Sequence, residues 1–90
     1  MDEGIRFEND VKWDGKCITV WALSAGRRIK CVIPRATVHA IPLFGDAISR
    51  EIDRDRGEIV DRLRMILAAK VAGAESDTVE LHPRDLSPTP

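Results

Sequence analysis

Between Cys17 and Ile33, two runs rich in β-branched residues flank Ser24-Ala25-Gly26-Arg27, and no other stretch of the chain leaves so few ways to fold. If Ala25 and Gly26 form a two-residue loop, Ser24 pairs with Arg27, Leu23 with Arg28, Ala22 with Ile29, Trp21 with Lys30 and Val20 with Cys31. Paired residues share a face of the sheet. One face then carries Ile18, Val20, Ala22, Ile29, Cys31 and Ile33, and is wholly apolar; the other carries Thr19, Trp21, Leu23, Arg28, Lys30 and Val32. A slip of one residue would mix the two sets, so the register supports itself. The sequence predicts a hairpin with one buried face.

The flanking segments fill in an α+β domain. Ile5 and Phe7 alternate with polar neighbours as in a short half-buried strand, and Trp13-Asp14-Gly15-Lys16 reads as a turn. Pro34 suits the first turn of a helix, which predicts a short helix from Pro34 to about Ala40, limited by Pro42. Asp46 is placed to cap a long helix whose apolar stripe is Ile48, Ile52, Ile59, Leu63 and Ile66, ending near Gly73. Gly57 interrupts that helix with a residue that costs up to about 1 kcal/mol relative to alanine, which leaves its continuity open. Asp77 to His82 alternates again as a last strand. The expected fold is a small antiparallel sheet, made of the N-terminal strand, the central hairpin and the C-terminal strand, packed on one short and one long helix. Residues 1–82 form the single domain and 83–90 a flexible tail.

Several function classes lose support from composition. Ninety residues fit one domain, and 43% hydrophobic with 32% charged residues is the balance of a folded protein. Fourteen basic and 15 acidic side chains leave a net charge of −1, against the clear basic excess of most polyanion binders. Two cysteines are too few for a disulfide framework. The longest apolar run, Met65 to Ala69, falls far short of the roughly 20 residues that span a bilayer, and no signal peptide is visible. These features predict a cytoplasmic protein with no membrane association.

The order of features resembles a small bacterial family catalogued as domain of unknown function 1488. The matching pieces are Ile5-Arg6-Phe7, the Trp13-Asp14 turn, the Ile18–Ile33 hairpin with Gly26 at its bend and Cys31 near its end, the helical segment after Pro34, and Val79-Glu80-Leu81. The likeness covers roughly residues 4 to 82 and rests on apolar patterns and turns. It implies helices packed on an antiparallel sheet, and it implies no activity.

Little in the chain carries chemistry. Cys31 lies on the apolar face of the hairpin and Cys17 points by parity to the other, so the two thiols are not expected to meet. His39 and His82 lack the paired spacing of a zinc site, and no metal or cofactor is expected. Ser24, Ser49 and Ser76 have no nucleophile elbow around them, and there is no glycine-rich phosphate loop. The one local concentration of positive charge is Arg27, Arg28, Lys30 and Arg35, around Trp21. It can be read as a base-stacking platform with cations for phosphates, or as an exposed strand face whose basic stems cover an aromatic ring. The incompletely polar second face favours a non-catalytic protein-interaction module, a homodimer or an accessory subunit, with Trp21, Leu23 and Val32 in the contact. A nucleic-acid-binding accessory protein using Arg28, Lys30 and Arg35 ranks second, and an enzyme without a sequence signature third.

Overall fold

The computed structural model describes residues 5–86. Five strands form one sheet: β1 (Ile5–Phe7), β2 (Lys12–Trp13), β3 (Cys17–Ser24), β4 (Arg27–Pro34) and β5 (Thr78–Glu80). Two α-helices, α1 (Arg35–His39) and α2 (Ser49–Ala72), lie between β4 and β5 in the chain. The α+β class read from the sequence is the class observed.

The β3–β4 register matches the expected one pair for pair, from Ser24–Arg27 to Ile18–Ile33. Ala25 and Gly26 both take positive φ, 53° and 81°, as a two-residue loop joining right-twisted strands requires. Ile18, Val20, Ala22, Ile29, Cys31 and Ile33 are all buried. β1 and β2 pair in succession along the free edge of β3, and β5 lies on the far side of β4. Asp14 closes the β2–β3 turn: its Oδ1 accepts from the Cys17 and Lys16 amides at 2.9 and 2.8 Å, which holds its carboxyl below the usual aspartate range.

The sheet is mixed, not wholly antiparallel: β5 runs parallel to β4, with Lys30 opposite Thr78 and Val32 opposite Glu80. The connection explains the direction. The chain leaves the end of β4 and returns along α2, and a helical crossover delivers the next strand in parallel. α2 packs across the inner face of the sheet, where Ile52, Ile59, Val60, Leu63, Leu67 and Val71 meet the hairpin's apolar face.

Both helix starts differ from expectation. Pro34 ends β4 with extended ψ of 157°, and α1 begins one residue later. Asp46 does not cap α2, which starts at Ser49 after an extended Ile48. A 3-10 turn over Pro42–Phe44 uses the intervening residues to bury Phe44 and Ala47, so the helix begins later. The Ile48 amide donates instead to Glu51 Oε1 at 3.1 Å. Ile48 is therefore exposed, and Ile66 only half-buried, because the seam turns onto Val60, Leu67 and Val71. The helix runs unbroken through Gly57 and ends at Gly73.

The expected tail is in part anchored. Pro83–Leu86 forms a 3-10 turn, in which Asp85 Oδ2 accepts from the His82 amide at 2.8 Å and pairs with Lys70 Nζ at 3.1 Å. Leu86 packs against the core, and residues 87–90 lie outside the described residues.

Candidate interaction face

Both described α-helices attach to the inner face of the sheet, so alternation along each strand leaves the opposite face without a helical layer. The register lays that outer face out in rows. Lys12, Thr19, Val32 and Glu80 form one row, read across β2, β3, β4 and β5. Trp21, Lys30 and Thr78 form the next, and Arg6, Leu23 and Arg28 the one beyond. Trp21 and Val32 are half-buried at its centre, and Leu23 is 40% exposed.

Trp21 is dressed by a preformed ion pair. The Glu8 amide donates to Trp21 O at 2.8 Å, which extends the β1 pairing by one residue and sets the Glu8 carboxylate beside the ring. Arg28 Nε and Nη2 donate to the two Glu8 oxygens at 2.8 and 3.1 Å, and the guanidinium carbon sits 4.1 Å from the Trp21 ring centroid. That fork holds the Glu8 carboxyl below its usual range and raises Arg28 further. Such a bidentate pair presents a nearly neutral surface.

The basic concentration is thus largely spent within the chain. Arg27 Nη2 donates to Asp77 Oδ1 at 3.2 Å and to Ser76 O at 3.1 Å, which clips the hairpin to the loop before β5. Arg35 does not join the face. Its Nε donates to His39 Nε2 at 3.1 Å along α1, which leaves the His39 proton on Nδ1, donated to Phe44 O at 3.1 Å. Of the expected site residues, the structure brings Trp21, Leu23, Arg28, Lys30 and Val32 together and sets Arg35 apart. Lys30 has no ion-pair partner among the described residues.

Sequence reasoning missed Glu8, Lys12 and Glu80 on this face. A three-residue and a two-residue strand carry too little alternation to fix which residue of β3 they oppose. The direction of β5 was needed to place Glu80.

Other surfaces offer less. A hollow of about 540 Å³ between the Pro42–Phe44 turn and the first half of α2 is lined by Asp46, Glu51, Asp55 and Glu58. Three of these carboxylates already have partners: Glu51 the Ile48 amide, Asp55 Arg54, and Glu58 Arg62. Among the described residues no three His, Cys, Asp or Glu side chains cluster as a metal site would need, and no helix is long and apolar enough to cross a membrane. Cys17 and Cys31 are both free thiols on opposite faces. No family model, curated protein or solved structure matches the chain.

Proposed function

We propose that this chain is a non-catalytic protein-interaction module that works through the open face of its sheet. The observation that carries the reading is a sheet face without a helical layer that centres on Trp21, Leu23 and Val32, with its one aromatic ring already oriented by the Arg28–Glu8 pair. Aromatic and arginine side chains in a partly desolvated setting are the groups that dominate protein contacts. The nucleic-acid alternative draws less support, because Arg27 and Arg28 are committed to carboxylates and Arg35 to His39. Phosphate binding needs cations free to replace counterions. The family likeness carried by Ile5-Arg6-Phe7, the Trp13-Asp14 turn and the Gly26 hairpin implies no activity that would compete. A cytoplasmic setting fits two thiols held apart.

The test is site-specific photo-crosslinking in the native cell. A crosslinking side chain at Leu23 should trap a protein, whereas one at Met65, exposed on α2, should trap none. Adducts from Leu43, beside the acidic hollow, with none from Leu23 would move the interaction elsewhere and overturn the reading.

A further inference from the structure

We infer that the partner seated on the open face is a second copy of this chain, related by a two-fold axis that runs along the strands between β3 and β4. The inference rests on the interaction reading above and names its occupant. Its basis is the charge order of one row. Lys12, Thr19, Val32 and Glu80 run from one edge of the sheet to the other on the same face, with a cation at one end and an anion at the other. A two-fold axis along the strands reverses the row onto itself. Lys12 then lies over the second copy's Glu80, Glu80 over its Lys12, and Thr19 against its Val32.

The neighbouring row follows the same rule. Reversal sets Lys30 over Trp21 of the other copy, beside the Arg28–Glu8 pair that dresses that ring. Neither terminal charge of the first row is strongly held at home. Among the described residues Lys12 pairs only with Asp10 at 3.3 Å, both well exposed, and Glu80 has no closer partner than the His82 ring, whose Nδ1 is 4.0 Å away. The Arg28–Glu8 pair can enter the contact without leaving an unpaired charge.

Area fits a weak dimer. β3 and β4 are eight residues long but β1, β2 and β5 only three, two and three, so the face projects to roughly 400 Å² at the usual strand spacing and rise. Two such faces bury on the order of 800 Å², the size of a weak, transient contact. Sheets packed face to face align within about 30° of each other, which keeps the reversed rows within reach of lysine side chains. The dimer should therefore be concentration-dependent.

Sedimentation velocity across a wide concentration range tests this. The native chain should pass from monomer to dimer. Lys12→Glu and Glu80→Lys each make both symmetry-related contacts repulsive and should weaken the dimer roughly ten-fold or more. Mixed together, the two variants should form a heterodimer close to native strength, because every contact again joins opposite charges. Both positions are exposed, and unchanged urea midpoints of the monomers would exclude a folding defect. A native chain that stays monomeric throughout overturns the inference. So does a dimer indifferent to either reversal, or a pair of variants that fail to associate. If the chain is monomeric while Leu23 still crosslinks to a different protein, the second copy is refuted and the interaction reading survives; if Leu23 traps nothing, both fall.

Discussion

Thr37 is the one buried polar side chain among the described residues, and its Oγ1 donates to Leu81 O at 2.7 Å. That bond ties α1 to the residue that leaves β5, across 44 positions of sequence. Thr37→Val keeps the shape and strands the Leu81 carbonyl, so urea unfolding should show a loss of about 1–3 kcal/mol. Thr37→Ser keeps the hydroxyl and loses one methyl group, about 1 kcal/mol. No loss from Thr37→Val would show that the hydrogen bond contributes nothing. The two cysteines make a second contrast at this scale. Burial pushes the Cys31 thiol up to about 11, while the half-buried Cys17 is raised first by desolvation and then by Asp14. A thiol reagent should modify Cys17 first and reach Cys31 only as the protein opens. Rapid modification of Cys31 in the folded state would contradict its place in the core. Cys31's burial was legible from strand parity alone; Thr37's bond was not, because no local pattern links residues 37 and 81.

The elements were legible in proportion to their length and regularity. Eight-residue strands joined by Ala25-Gly26 fixed their own register, whereas β2, with two residues, was read as part of a turn. The start of α2 was misplaced because Asp46 has the chemistry of a cap but lies in a turn that serves Phe44 and Ala47. Gly57 sits on the exposed side of α2, and a Cβ there would meet nothing within 4 Å. Gly57→Ala should therefore stabilise the domain by about 0.5–1 kcal/mol in thermal or urea melts. Destabilisation would mean that the helix needs the glycine backbone there. At the other end, the His82 amide first, and then Lys70, holds the Asp85 carboxyl below the ordinary value of 3.8. A carboxylate with a depressed folded-state pKa contributes stability that is present above its unfolded value and is lost as pH falls through the folded one. Asp85→Asn should thus lower the urea midpoint near pH 7, and the gap from the native chain should close as pH falls below the ordinary aspartate value. A gap that persists unchanged in acid would show that the Asp85 charge is not its source.

Over the whole molecule, the sequence indicated which face of the sheet is buried, and the paths of the connections decided what lies on the open one. The candidate face was half legible: Trp21, Leu23, Arg28, Lys30 and Val32 follow from hairpin parity, while Glu8, Lys12 and Glu80 needed strand order and direction. Arg35 was grouped with them because it is adjacent in sequence, and α1 turns it onto His39. The parallel direction of β5 also has a mechanical consequence. β1 enters the sheet beside Ser24, at the hairpin-loop end, and β5 leaves it beside Val32, toward the opposite end, on the other edge. Tension applied between residues 5 and 82 therefore acts along the strands and loads the β1–β3 and β4–β5 ladders in shear, all bonds at once. An antiparallel β5 would have left at the loop end and been peeled one bond at a time. In single-molecule pulling, force applied through residues 5 and 82 should meet a distinctly higher rupture force than force applied through residues 5 and 27, which lie at the same end of the sheet. Equal rupture forces would mean that strand direction does not govern how the domain yields.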